Sequence, residues 1–435
     1  MKKLLLSFLC ITCIVLRLYS QNLNPVLIGY WHNWSTTTPY IQLDQIDSRY
    51  NIIEIAFAVP TSTSDMTMIF TPDVITQQTF INKVNLIKSQ GKKVLISIGG
   101  ATTSIDLTTS TNKTAFINSM INIINTFGFD GIDIDIENGN SILINNGGTI
   151  SNPANPAMIN LIDAIKQIMT NYRTNHPGKL MLTMAPETAY VQGGQSGFGS
   201  IWGGYLPIIH ALRDSIDFLQ VQLYNSGSMY GVDGNIYTQG TADFIVAMTE
   251  VVIKGFNTNG GYFTGLPASK VAVGLPACPS AAGGGFVDTN TVMAAIKYLI
   301  GIGTKPGSYT LNQISGYPNL AGLMTWSINW DALSTCESSY QFARNFQNIF
   351  GSTTECKTLN SNQANFQVFP NPAKNQLLIK FKSQNNSKIQ IYNSAGFMVI
   401  EKIINSKEQN IDISNLIKGI YLIKNEITIL KFVKD

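Results

Sequence analysis

Residues Phe129–Glu137 read Phe-Asp-Gly-Ile-Asp-Ile-Asp-Ile-Glu, an alternation of acids and isoleucines. In a β-strand, Asp133, Asp135 and Glu137 share one face and Ile132, Ile134 and Ile136 the other, with neighbouring carboxyls about 6–7 Å apart along the chain. Asp is a poor strand former, and stacked carboxylates repel. A chain keeps such a row where a proton must be held and handed on. The competing picture is an edge strand with solvated acids outward, and the apolar flanks argue against it. A calcium loop fails on spacing: counted from Asp133, its sixth-position Gly and twelfth-position Glu would be Asn138 and Ile144. Asp130 has the wrong parity for the acidic face and is expected to support the strand entrance.

The acidic strand is one of eight short apolar runs: Val26–Trp31, Ile52–Ala58, Lys93–Ile98, Gly131–Ile136, Leu180–Ala185, Phe218–Leu223, Val271–Leu275 and Gly322–Trp326. Helix-capable stretches, such as Met158–Asn171 and Thr241–Lys254, separate most of them. This pattern predicts an α/β fold, a (β/α)8 TIM barrel. A barrel carries its chemistry at the C-terminal ends of its strands. Glu137 stands there after run four, Met184 and Glu187 after run five, Gln222 and Tyr224 after run six, and Trp326 after run eight.

Around Phe350 the barrel pattern stops. Residues 351–365 are rich in Ser, Thr, Asn and Gln and read as a linker. Residues 366–435 carry short alternating runs, including Gln367–Phe369, Leu377–Phe381, Ile389–Tyr392 and Tyr421–Lys424, and predict a small β-sandwich. At the other end, Lys2 and Lys3 precede an apolar run from Leu4 to Leu16, so residues 1–20 are expected to be a secretory signal. No other stretch is apolar and long enough to span a bilayer. The expected location is therefore secreted or at the cell surface, without stable membrane insertion.

Charge and cysteine content narrow the classes. From Gly351 onward there are 11 Lys against 6 acids, whereas residues 21–350 carry 15 basic and 20 acidic side chains. A mildly acidic main domain speaks against nucleic-acid binding. The three histidines, His32, His176 and His210, form no close pair, so a catalytic zinc site is not expected. Beyond the signal lie Cys278, Cys336 and Cys356; a Cys336–Cys356 bridge is possible, but buried structural thiols are the expectation.

Taken together, Asp130-x-x-Asp133-x-Asp135-x-Glu137, Ser97-Ile98-Gly99-Gly100, Tyr30-Trp31, Gln222-Leu223-Tyr224-Asn225 and Trp326-Ser327-Ile328-Asn329-Trp330-Asp331 resemble glycoside hydrolase family 18, which includes chitinases. Leu182-Thr183-Met184-Ala185-Pro186-Glu187 is similar to its bacterial chitinase D branch. The resemblance spans residues 23–350. It implies a retaining chitinase that cleaves β-1,4-N-acetylglucosaminide bonds with the substrate's own acetamido oxygen as nucleophile, through an oxazolinium intermediate. Glu137 would be the general acid and then base, its pKa raised by stacking with Asp135. Asp135, sharing a proton with Asp133, would turn to the acetamido N–H, and Tyr224 would hold the acetamido oxygen.

The same resemblance makes Trp326 the apolar floor, with Gln222 and Met184 beneath the sugar and Tyr30, Asn225 and Gly100 at the substrate. Trp31, Trp34, Trp202 and Trp330 are either further sugar platforms or packing. Asn225 stands where the family often has Asp, which alters the local pKa network. The implied partners are chitin or N-acetylglucosamine oligosaccharides, with no cofactor and no metal, and the chain is expected to act as a monomer. An endo-β-N-acetylglucosaminidase on N-glycans is the alternative, and a non-catalytic chitin-binding lectin a weaker one.

The tail motifs Phe369-Pro370-Asn371-Pro372-Ala373, Ile391-Tyr392-Asn393-Ser394-Ala395-Gly396 and Gly419-Ile420-Tyr421-Leu422-Ile423 resemble the C-terminal sorting domain of type IX secretion, which implies the type IX machinery as a partner. A carbohydrate-binding module is the competing idea, and the absence of Trp from this segment speaks against it.

Overall fold

The computed structural model describes residues 25–351, 366–382, 387–393, 398–425 and 429–435. The expected signal at 1–20, the linker beyond Gly351 and Cys356 lie outside the described residues. The chain divides into two compact units at Phe350/Gly351.

In the first unit, eight parallel strands follow one another: β1 (Val26–His32), β2 (Ile52–Pro60), β3 (Lys93–Gly99), β4 (Gly131–Asp135), β5 (Met181–Met184), β6 (Phe218–Leu219), β7 (Ala272–Pro276) and β8 (Gly322–Trp326). Their order in the sheet is β7-β8-β1-β2-β3-β4-β5-β6. Parallel bridges Leu219–Val271 and Gln222–Gly274 join the two edge strands and close the barrel. The expected sixth run ends its regular ladder at Leu219, four residues early. Beyond it the backbone alternates between neighbours, Gln220 N–H donating to Met184 O (2.8 Å), Gln222 N–H to Pro186 O (2.9 Å) and Leu223 N–H to Gly274 O (2.9 Å). The chain stays extended, so Gln220 and Gln222 keep the same parity.

Helices α1 (Gln77–Ser89), α2 (Ser110–Phe127), α3 (Pro156–Asn175), α4 (Leu206–Leu212), α5 (Ala242–Lys254), α6 (Thr289–Leu299), α7 (Ile328–Asp331) and α8 (Gln341–Phe350) complete this unit. Their starts are written locally. Asn155 accepts from Ala157 N–H before Pro156 opens α3, and Thr241 accepts from Phe244 N–H to open α5. On α3, Met158, Leu161, Ile162, Ile165 and Met169 are buried at helical spacing. They belong to one core with Ile132, Ile134 and Ile136, the outward face of β4. Each of those isoleucines is essentially solvent-free, and such burial contributes about 1.5–3 kcal/mol per side chain. That apolar face commits Asp133, Asp135 and Glu137 to the barrel's inside. Asp130 sits at the strand entrance as expected: its Oδ2 accepts Val94 N–H (3.0 Å), and Lys88 lies 3.2 Å from Oδ1.

The cysteine expectation needs correction, because Cys278 and Cys336 form a disulfide. Strands β7 and β8 pair with Pro276 opposite Trp326, so the loops leaving their ends emerge side by side. Adjacency in the barrel brings together thiols 58 residues apart, which sequence spacing does not reveal.

The second unit is built from two antiparallel sheets. One joins β9 (Phe366–Phe369), β10 (Gln376–Phe381) and β13 (Glu408–Asp412); the other runs β12 (Met398–Ile404), β11 (Ser387–Asn393), β14 (Gly419–Lys424), β15 (Ile429–Lys434). Period-2 burial along β10, at Leu377, Ile379 and Phe381, meets Ile389, Ile391, Ile423 and Phe432 in a single core. Among the described residues, no helix is long and apolar enough to cross a membrane.

Candidate active site

The acidic face of β4 points into the barrel, and each carboxyl meets a different set of partners. Asp133 is deepest and solvent-free. Its Oδ2 accepts from Tyr30 Oη (2.6 Å) and Ser97 Oγ (2.7 Å), and its Oδ1 from Thr183 Oγ1 (2.8 Å). Burial raises its pKa while these hydrogen bonds pull the other way. Tyr30 was expected at the substrate; it is only 1% exposed and its hydroxyl is used up by Asp133, so it supports the acid instead.

Sequence reasoning missed the groups below Asp133. Glu54, on β2, lies 2.7 Å from Gln220 Nε2 through each of its oxygens and 2.8 Å from Thr183 Oγ1. Burial pushes its pKa far up, with the Asp133 charge adding to the effect. The available signal was a single acid inside the apolar run Ile52–Val59, at the inward parity it shares with Ile52 and Ala56.

Asp135 and Glu137 hydrogen-bond to each other. Gln222 Nε2 braces the pair, 3.0 Å from Asp135 Oδ1 and 3.2 Å from Glu137 Oε1, and also donates to Ala185 O at 3.0 Å. Asp135 is raised well above the carboxylate range by burial and then by the Glu137 charge. Glu137 is raised as well, but the cause differs from the expected one. Burial raises it, the bonds from Gln222 and Asp135 lower it, and the Glu187 and Asp133 charges raise it again. Asp135 is turned toward Glu137 and away from Asp133, and the two raised carboxyls share a hydrogen bond that needs one proton between them.

Around Glu137 the backbone is fixed from three sides. Tyr205 Oη accepts Ile136 N–H (2.8 Å), Glu187 Oε1 accepts Asn138 N–H (3.0 Å), and Tyr190 Oη accepts Gly139 N–H (2.6 Å). Across from it, Gly100 N–H donates to Asp135 O at 2.6 Å. Gly99 has φ +114°, and a Cβ there would lie 2.3 Å from the same oxygen, so only glycine lets β3 pass this close to β4.

Above the acids opens a cleft of about 1070 Å³, lined by Trp34, Phe57, Gly100, Glu137, Gln222, Tyr224, Asn225 and Trp326 among others. Trp326 and Phe57 lie near-parallel, 14° apart with centroids 6.0 Å apart. His32 stacks on Trp34 at 4.8 Å and meets Trp326 at 4.7 Å; burial pushes it down to about 4, so the ring between the tryptophans is neutral at neutral pH. Of the other tryptophans, Trp31 is buried with its indole N–H on Ile41 O (2.8 Å), and neither Trp202 nor Trp330 lines the cleft. Met184 was expected beneath the sugar, and the structure corrects this. Thr183 takes the inward position of β5, so Met184 faces outward into the core shared with the helices, and Ala185 is the next residue inside. Tyr224 is 5% exposed beside the four acids; burial, and then their charges, raise its pKa strongly, so its hydroxyl keeps its proton.

This arrangement can give and take a proton at Glu137, the one acid of the row on the cleft wall. Comparison with known proteins identifies the family. Residues 26–350 match the family described as Glycosyl hydrolases family 18, and residues 367–434 match the Secretion system C-terminal sorting domain. That tail marks the chain as exported, secreted or at the cell surface. Chitinase Chi52 of Paenibacillus xylanexedens is 45% identical over 317 residues, 72% of this chain and 60% of the relative. Chitinase D of Niallia circulans is 46% identical over 318 residues, with the same 72% and 60% coverage. The chain thus spans about 60% of the length of these relatives. Among solved structures, a family GH18 chitinase from Chromobacterium violaceum is 34% identical with a TM-score of 0.65, covering 75% of this chain and 83% of that one. By its barrel, its acid row and these matches, the chain belongs to glycosyl hydrolases family 18.

Proposed function

We propose that this protein is an exported chitinase that cleaves β-1,4 bonds between N-acetylglucosamine units with retention of configuration. The observation that carries the reading is the Asp135–Glu137 pair, braced by Gln222, at the base of an aromatic cleft. In the proposed cycle the proton shared between Asp135 and Glu137 moves onto Glu137, which passes it to the leaving oxygen and leaves Asp135 as the carboxylate, while the substrate's acetamido oxygen attacks the anomeric carbon to give an oxazolinium ion. Asp135, already turned from Asp133, would meet the acetamido N–H, while the Tyr224 hydroxyl would donate to the acetamido oxygen. Glu137 then takes a proton from water as the ring opens. Trp326 would stack on the C–H face of the sugar, and Gln222, Asn225 and Gly100 would border it. The names of the relatives support the substrate class, and the sorting tail would engage the secretion machinery.

Product analysis of the mature protein on N-acetylglucosamine hexamer, beside a high-mannose glycoprotein, tests this. Shorter oligomers released first as β-anomers are the expected result. Released N-glycans with an intact hexamer would move the assignment to endo-β-N-acetylglucosaminidase. No product from either would leave a lectin.

A further inference from the structure

Beneath Asp133 the number of hydrogens does not match the number of acceptors. The Thr183 hydroxyl has one hydrogen, yet its oxygen lies 2.8 Å from Asp133 Oδ1 and 2.8 Å from Glu54 Oε1. With both acids ionised, one anionic oxygen would face a hydroxyl lone pair in a solvent-free interior. No described ion pair includes Glu54, Asp133 or Asp135 to offset two charges. A proton on Glu54 resolves the count. Glu54 then donates to Thr183, and Thr183 donates to Asp133.

The proton belongs on Glu54 because Asp133 has the better donors, Tyr30 and Ser97 as well as Thr183. Glu54 has Gln220, whose amide leans toward Asp133 as well at 3.4 Å, and the Tyr30 hydroxyl within reach, whose single hydrogen goes to Asp133 at 2.6 Å. The titratable groups facing this centre are Tyr30, Asp133, Asp135 and Tyr224. None of them supplies a positive charge.

We propose that Glu54 is a neutral carboxylic acid that, through Thr183, keeps Asp133 ionised while Asp135 is turned to Glu137. It is a positioning residue: it touches neither the cleft nor the reacting atoms. The role matters because Asp133 loses its proton-sharing neighbour whenever Asp135 turns away, and a buried carboxylate needs its lone pairs filled. This role in turnover rests on the glycosidase reading above.

Infrared spectroscopy of the resting protein tests the protonation without substrate. A carboxylic C=O band present in the wild type and missing from Glu54→Gln is expected; identical spectra would overturn the proposal. This arm stands whatever sugar the enzyme cleaves. In turnover, Glu54→Gln still donates to Thr183, so kcat/KM should remain within about threefold and its acid limb should not move. Thr183→Val removes the link itself and takes a donor from Asp133. It should lower kcat about 10- to 100-fold with KM nearly unchanged and move the acid limb up by about one pH unit. An unshifted limb in a folded, active Thr183→Val would refute the positioning role. Thr183→Ser keeps the hydroxyl and should restore the wild-type limb, and the infrared comparison decides the protonation should Thr183→Val fail to fold.

Discussion

Inside the barrel, Glu54, Ser97, Asp133, Thr183 and Gln220 are all solvent-free, and a web of hydrogen bonds replaces the packing that apolar side chains would give. At the centre of the sandwich stand Phe366, Leu377, Ile379, Ile389, Ile391, Ile423 and Phe432. Both units must bury enough surface to fold, and only one spends its interior on acids. Buried carboxyls destabilise unless paired or protonated, each unsatisfied group by about 1–3 kcal/mol or more. The contrast separates residues that hold a fold together from residues that do chemistry within it.

The largest effect should come from the barrel's side of that contrast. Replacing Glu137 with Gln removes the proton at the cleft wall and little volume, so turnover should fall by at least the ~10²–10⁴-fold typical of a positioned acid–base group. Oligosaccharide binding, followed by fluorescence titration, should survive. Near-normal turnover in this variant would sink the acid assignment. On the sandwich's side, Ile391→Ala opens a cavity in a fully apolar core and should destabilise that unit by about 2–5 kcal/mol. Turnover at a temperature where the barrel is folded should not change. A loss of activity that tracks the sandwich's unfolding would show that the two interiors are not independent.

What could be read in advance follows the same line. The acid row was legible because a period of two allows one arrangement only, acids on one face and isoleucines on the other. The eight runs were legible because buried parallel strands are continuous apolar segments. Met184 was misplaced by a single residue, since the alternation of β5 is set by Thr183 and no charge marks that strand's inner face. Tyr30 was placed one layer too high, because a motif gives the strand end and not the depth at which a hydroxyl finds its acceptor. Glu54 and Gln220 escaped notice because their partners come from other strands, 129 and 166 residues apart along the chain. The Cys278–Cys336 bridge was hidden in the same way.

The pH response should differ between the two kinds of interior. Asp135 and Glu54 are raised far above the ordinary carboxylate value, so the folded barrel holds protons that the unfolded chain releases. Their stabilisation is complete below the ordinary value, near pH 4, and is lost as pH rises toward the folded values. In the sandwich, Glu401 and Asp412 are lowered, Glu401 by bonds from Gln390 and Lys388 and Asp412 by Ser414. Their exposed and small contribution has the opposite sign and fades as pH falls. Asp135→Asn should therefore gain stability relative to wild type between pH 5 and 8, as read by denaturant titration at each pH, with values near the ordinary carboxylate pKa as the reference. A difference independent of pH would mean that Asp135 is not protonated in the folded barrel. A smaller change is expected from Glu187→Gln. Glu187 raises Glu137 through its charge, so neutralising it should move the basic limb of kcat/KM down by less than about one unit. An upward shift would contradict the electrostatics described for the row.

The smallest effect should come from removing the sandwich altogether. Every group placed in the acid row, its supports and the cleft walls lies between Tyr30 and Asp331. The barrel's core continues to Ile349 through Phe342 and Phe346 of α8, so a chain ending at Phe350 keeps that helix whole. Such a truncation should retain kcat/KM on soluble oligosaccharides within about twofold, as for changes far from buried features. A chain ending at Tyr340 is the control: it strips Phe342, Phe346 and Ile349 from the barrel core and should fail to fold. If the Phe350 truncation were folded yet inactive, the sandwich would be part of the catalytic unit. The division between an interior built for stability and one built for proton handling would then no longer coincide with the division between the two units.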